Sequence, residues 1–303
     1  MRIAIAGASG LIGKALSEHL AANGHEVLRF RRFQGTFGAS NPGEVNWNPA
    51  TNDIDAEALF GVDAVINLAG SPIGEKRWTS KVKHQILQSR IDATDTIVQA
   101  LNGTKTYYDV SRLPKILLNA SAIGIYGDRS DVEMSEQSAP GAGFLVDVVK
   151  EWESSALALN GDVRVVTLRT GLVMSNQGGA FGRMLPLFKL GLGGKLGSGS
   201  QYWPVISLRD EVRAIEFLLH SQVRGPVNLV APFSPTNAQF TTALAAHLQR
   251  PAFLHVPKFA LEIALGEFAS DILASTRVVP NVLRNSGFQW LDADLETLIK
   301  TAI

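Results

Sequence analysis

The chain has 303 residues, 28 Lys+Arg against 28 Asp+Glu, 46% hydrophobic residues and no cysteine. Such a length buries a large core without covalent staples, and a formal net charge of zero argues against a chain whose main task is gripping nucleic acid. The absence of cysteine excludes disulfides, Cys-zinc centres and thiol nucleophiles.

Short apolar runs alternate with helical patterns through residue 170, which predicts βαβ units around a parallel sheet. Strands are expected at 2–6, 26–29, 64–68, 115–120 and 164–169, and helices at 12–23, 80–101 and 144–159. Thr79 is a good N-cap for the second helix, and Asn102-Gly103 is a good stop. Residues 171–200 then hold nine glycines, which suggests a mobile segment over a site or, failing that, an irregular surface loop. Asp210 reads as the N-cap of a helix over 210–219. Thr236 and Gln239 have the spacing of a capping box, their helix should end near Arg250-Pro251, and another should start at Pro257. The texture divides the chain into 1–170 and 171–303, with 205–230 able to return to the first unit. No stretch reaches the roughly 18 apolar residues of a membrane helix, and the N-terminus is too short in apolar residues for a signal peptide. A cytoplasmic protein with no membrane partner is expected.

Gly7-Ala8-Ser9-Gly10-Leu11-Ile12-Gly13 follows the first strand and opens the first helix. In that context it predicts a dinucleotide site: Gly7 for the tight turn, Gly10 for approach of backbone to a pyrophosphate, Gly13 for close helix packing. A site for NAD generally has an acidic residue about 20 positions on. Here Arg31 stands 18 positions beyond Gly13, followed by Arg32. A guanidinium suits a phosphate dianion, so NADP(H) is the expected cofactor.

Together with Asn67-Leu68-Ala69-Gly70 and Ser121-Ala122-Ile123-Gly124-Ile125-Tyr126-Gly127, this turn resembles the extended short-chain dehydrogenase/reductases, a superfamily that includes sugar-nucleotide epimerases and dehydratases. Trp47-Asn48-Pro49, Arg77-Trp78-Thr79, Ser89-Arg90, Trp152-Glu153, Gly178-Gly179-Ala180 and Gln201-Tyr202-Trp203 narrow the resemblance. It points to the "epimerase family protein" group, which carries a C-terminal domain of unknown function, and it spans essentially the whole chain. It implies an α/β Rossmann fold, a doubly wound parallel sheet with a smaller substrate-side domain. By position, Gly7, Ser9, Gly10, Leu11 and Ile12 would line the pyrophosphate turn, and Arg31 and Arg32 would meet the 2′-phosphate. Leu68, Ala69 and Gly70 would lie on the adenosine side, and Ala120, Ser121, Gly171 and Val173 near the nicotinamide.

The chain departs from the superfamily in its chemistry. That superfamily uses a Tyr-x-x-x-Lys pair, the Tyr as acid/base and the Lys holding the cofactor ribose, plus a Ser or Thr on a strand end. Four residues after Tyr107, Tyr108, Tyr126 and Tyr202 stand Ser111, Arg112, Ser130 and Ile206, so the pair is absent. The catalytic candidates left are Tyr126, Ser121 and Lys150. Alignment on Tyr126-Gly127 puts Ala122 at the serine position with Ser121 one residue earlier, and Val146 stands where a phenol should precede Lys150. Asp128 and Glu136 stand near the same strand end, where surface turns explain them better. The six histidines are scattered and suggest no metal site. Arg183, Lys189 and Lys195 would suit an anionic or sugar-nucleotide substrate, or simply a solvated loop. Two classes stay open: an NADP-dependent oxidoreductase or epimerase-like enzyme of unknown substrate, and a catalytically silent NADP(H) sensor or scaffold.

Overall fold

β1 (Arg2–Ala6) and β5 (Ala64–Asn67) are buried on both faces, the pattern of inner strands in a parallel sheet covered by helices. The computed structural model describes residues 1–33, 38–103, 110–161 and 163–303. The other strands are β2 (Glu26–Arg32), β3 (Glu44–Asn48), β4 (Asp53–Ile54), β6 (Ile116–Ala122), β7 (Glu133–Met134), β8 (Arg164–Thr170) and β9 (Leu172–Met174). They continue with β10 (Gly194–Leu196), β11 (Val205–Ser207), β12 (Gly225–Leu229), β13 (Leu254–Val256) and β14 (Arg277–Val278). Eight form one sheet in the order β12-β8-β6-β5-β1-β2-β3-β4, parallel except at the β3–β4 pair. The winding reverses beside β1, between β5 and β2, and this opens a crevice at the carboxyl edge of the strands.

Helices cover both faces. α1 (Leu11–Ala22) and α5 (Leu208–His220) pack on one, where Leu16, Leu20 and Ile215 meet Ile3, Ile5 and Leu168. α2 (Ser80–Leu101) and α3 (Phe144–Leu157) pack on the other, where Ile97 and Ala156 meet Ala4, Val65 and Leu117. This is the expected doubly wound α/β fold. β12 adds its edge strand beside β8.

The glycine-rich stretch is not a loop. It holds β9, α4 (Gly179–Lys189) and β10. Phe181, Leu185 and Phe188 recur on one face of α4 and share a core with α6 (Asn237–Leu248) and α10 (Leu295–Ala302), through Phe240, Leu244, Leu298 and Ile299. Thr236 and Gln239 make the expected capping box. The cap of α5 is Ser207, not Asp210. Asp210 is buried and accepts from the backbone N–H groups of Leu291 and Asp292, tying the C-terminal segment down. α7 (Lys258–Leu265), α8 (Phe268–Leu273) and α9 (Asn281–Asn285) complete that segment, and β14 pairs with β7. Among the described residues no helix is long and apolar enough to cross a membrane.

Candidate functional site

β1 delivers Gly7 to the carboxyl edge with φ +77°, a left-handed conformation natural to glycine. A Cβ at Gly7 would stand 2.6 Å from Leu68 O, and one at Gly13 only 2.2 Å from Gly7 O. Backbone therefore packs on backbone at both positions. Gly10 is different: a Cβ there would meet only Gly7 O, at 3.4 Å, on the open side of the turn. Gly10 also caps α1 without any side-chain hydrogen bond, so the first N–H groups of the helix are not covered by a side chain. Ser9 and Gly10 are exposed, and Leu11 and Ile12 are half-buried. A glycine cradle at the positive end of a helix is the chemistry that holds a pyrophosphate.

The floor continues at the end of β5. Asn67, fully buried, donates to Asn119 Oδ1 (2.7 Å) and Thr94 Oγ1 (3.1 Å) and accepts from the Ala69 N–H. That bends the chain through Leu68, Ala69 and Gly70 beside Gly7. Arg31 leaves the end of β2 exposed and paired with Glu44 at 3.1 Å, and Arg32 is exposed too. Arg31 and the neighbouring Asn41 amide hold the Glu44 carboxyl below its ordinary value, the Asn41 hydrogen bond most of all.

The far wall comes from the chain beyond β8. Gly171 admits no Cβ, because Pro204 O would lie 2.6 Å away, and Val173 follows half-buried in β9. Gly179, at the start of α4, would place a Cβ 3.3 Å from Leu11. One turn on, Arg183 donates to Gly74 O at 2.8 Å and lies 3.4 Å from Glu75. α4 thus bridges the 7–13 turn and the loop after β5. Lys189 and Lys195 are exposed.

Two of the catalytic candidates, Ser121 and Tyr126, are joined through Glu153 and Arg169 in a closed network. Ser121 Oγ donates to Glu153 Oε1 at 2.6 Å. Arg169 donates to both Glu153 oxygens at 2.8 Å and to the Tyr126 hydroxyl at 3.0 Å. Tyr126 in turn donates to Asn228 Oδ1 at 2.7 Å. Its ring is fully buried, and burial raises its pKa above the ordinary phenol value despite Arg169. Burial opposes the Arg169 charge, yet Glu153 and Tyr126 hold its pKa above normal. Glu136, expected on a surface turn, is buried and accepts from the backbone N–H groups of Asn228 and Val282. Lys150, exposed on α3 beside Asp147, shares a surface hollow with Glu153 and Arg169 but, among the described residues, makes no hydrogen bond into the network. Ala120 and Ala122 are half-buried and offer no proton. Tyr202 lies under the Arg277 guanidinium, and Tyr107 and Tyr108 fall outside the described residues. Among the described residues no group of three His, Cys, Asp or Glu could hold a metal ion.

One residue the sequence reading passed over is Glu211. It is fully buried on the first turn of α5, accepts from Thr170 Oγ1 at 2.8 Å, and leaves Oε2 without a partner. Burial pushes its pKa up to about 8, against the Thr170 hydrogen bond. Its signal was available: Glu211, Ile215 and Leu218 recur on one buried stripe of α5, where a carboxylate is out of place.

The model of the NAD dependent epimerase/dehydratase family matches residues 3–230, and a domain of unknown function, DUF1731, matches residues 256–302. An epimerase family protein of Mycobacterium leprae (strain TN) is 41% identical over 293 residues, 95% of this chain and 91% of its own. The crystal structure of human epimerase family protein SDR39U1 (isoform 2) with NADPH is 33% identical, over 100% of this chain and 99% of its own, with a TM-score of 0.87. MoeE5 in complex with UDP-glucose and NAD, 20% identical over 99% of this chain and 98% of its own with a TM-score of 0.71, shares the fold.

Proposed function

The chain belongs to the NAD dependent epimerase/dehydratase family, and we propose that it binds NADP(H) at the carboxyl edge of its sheet and applies it to an unidentified small molecule by oxidoreductase or epimerase-type chemistry. The observation that carries this reading is the glycine cradle, open at Gly10 and placed at the uncapped start of α1. The human relative crystallised with NADPH supports the cofactor. Gly7, Ser9, Gly10, Leu11 and Ile12 would hold the pyrophosphate; Leu68, Ala69 and Gly70 the adenosine side; Ala120, Ser121, Gly171 and Val173 the nicotinamide side. Arg31 and Arg32 would take the 2′-phosphate, which competes with Glu44 for Arg31. When bound, the nicotinamide supplies hydride chemistry; the chain's residues bind, orient and exclude water.

NADPH should therefore bind more tightly than NADH, each charge-assisted phosphate contact contributing about 1.5–3 kcal/mol before ordering costs. Replacing Arg31 and Arg32 together by Ala should erase most of that preference in calorimetric titrations and leave NADH binding nearly unchanged. Equal affinities in the unmodified protein would sink the assignment. A second reading, a cofactor sensor without turnover, is favoured by one observation: the Tyr126 hydroxyl is committed to Arg169 and Asn228. Tight NADPH binding without turnover across carbonyl and sugar-nucleotide compounds would support it.

A further inference from the structure

The described residues expose ten large hydrophobic side chains, and seven of them fall in two short stretches, 187–192 and 253–263. The four most exposed of the ten, Phe253, Leu190, Ile263 and Phe259, are among the seven, at 64% to 81%. Scattered apolar side chains are ordinary on a surface, but a cluster of this kind marks a contact face. The two stretches form one face. β10 and β13 pair with Gly194 beside Leu254, and a Cβ at Gly191 would stand 3.4 Å from Cγ of Pro251. α7 follows β13 after Pro257 and sets Phe259 and Ile263 one turn apart, on the side away from the buried Leu261. α4 likewise buries Leu185 and Phe188 and leaves Leu187 and Leu190 outside. Both helices therefore have a buried face already, and the outer side chains are a second one.

The same face is cationic in a chain of zero net charge. Residues 187–195 and 250–263 hold Lys189, Lys195, Arg250 and Lys258, all exposed, against one acid, Glu262. That balance decides between occupants. A two-fold contact with a second copy would set the face against itself, cation near cation. The partner has to offer apolar depth and negative charge in one place. The boundary of an anionic lipid layer does so, with charged headgroups outside and acyl chains beneath.

We propose that the face built by the end of α4, the 190–193 turn, β13 and α7 rests on an anionic lipid surface. Leu190, Phe253, Phe259 and Ile263 enter the acyl boundary, and Lys189, Arg250 and Lys258 meet the headgroups. The lack of a spanning segment, which underlies the expectation of no membrane partner, does not bear on a contact made by side chains alone. The proposal is independent of the cofactor reading, but it orients the molecule. Leu187 lies one turn after Arg183, which holds Gly74 O, so the lipid-facing side borders the wall that α4 gives the crevice.

Co-sedimentation with vesicles of equal parts phosphatidylglycerol and phosphatidylcholine, and with phosphatidylcholine alone, tests this. The wild-type protein should pellet with the mixed vesicles, only weakly with the neutral ones, and less as salt is raised. Phe253→Ser with Phe259→Ser should lower partitioning on the order of 10–100-fold, and Lys189→Gln with Arg250→Gln on the order of 10-fold. The Tm of both variants should stay near that of the wild type, because no buried group changes. Wild-type protein that stays in the supernatant, equal pelleting with both vesicle types, or unchanged partitioning in either folded variant would overturn the proposal. So would a lipid-free dimer, seen by light scattering, that the Phe substitutions dissolve, since the face would then belong to a second copy. If the Phe variant does not fold, the Lys189 and Arg250 variant decides alone.

Discussion

Tyr126 shows how far a residue's meaning depends on its surroundings. Its position after β6 marks it as a proton donor by analogy, yet its hydroxyl joins Arg169 to Asn228 inside the protein. Tyr126→Phe should leave Asn228 Oδ1 without its donor and Arg169 one hydrogen bond short, lower stability by about 1–3 kcal/mol in urea unfolding, and leave NADPH affinity unchanged. A large fall in turnover of any substrate found, with stability intact, would restore the catalytic role. Glu211 gives the second residue-scale expectation. Its folded pKa of about 8 lies above the ordinary 4.5, so the folded state binds more protons between those values. Stability therefore falls as pH rises through that window. Glu211→Gln removes the titration, so the stability difference between variant and wild type should grow by a few kcal/mol from about pH 5 to about pH 9. A difference independent of pH would mean that Glu211 titrates normally.

At the scale of elements, what could be read from the chain was what is local. α2 runs between Thr79 and Asn102-Gly103 because a hydroxyl caps one end and a left-handed glycine closes the other. The 236–239 box is equally self-contained. β3 is not among the expected strands, since its neighbour β2 is what makes it part of the sheet, and β12, within the 205–230 stretch expected to be able to return, takes its place from β8, distant in sequence. α4 was hidden by Gly179, Gly182 and Pro186, which lower helix propensity while Phe181, Leu185 and Phe188 supply the packing that overrides it. The site follows the same division. The glycine turn carries its own geometry, whereas Glu211 takes its character from what buries it. The turn itself can be split by substitution. Gly13→Ala drives a Cβ to within 2.2 Å of Gly7 O, backbone against backbone, and should cost roughly 1–3 kcal/mol together with NADPH binding. Gly10→Ala meets only a 3.4 Å contact and has ordinary φ, so the fold should stand while NADPH binding falls. Paired thermal melts and titrations of both variants check this; intact NADPH binding in Gly10→Ala would place the pyrophosphate elsewhere.

At the scale of the molecule, the chain beyond β8 is sewn to what precedes it more than once. The texture change near residue 170 carries no information on how the chain beyond it is fastened. Glu136 joins β12 to α9, Asp210 holds 291–292, and β14 lies against β7. None of these partners is near the other in sequence. The bridge made by α4 is the lightest of the seams, since Arg183 and Glu75 are both more than half exposed and 3.4 Å apart. Exposed pairs contribute little to stability, so the consequence of this one is felt in time rather than in equilibrium. A dinucleotide that lies between the 7–13 turn and the loop after β5 would have to part that contact to enter and to leave. Arg183→Ala should then speed NADPH association and dissociation by similar factors in stopped-flow fluorescence, with Kd almost unmoved. Added salt, which usually slows the capture of an anion, should act on the wild type partly in the opposite sense, by loosening the latch.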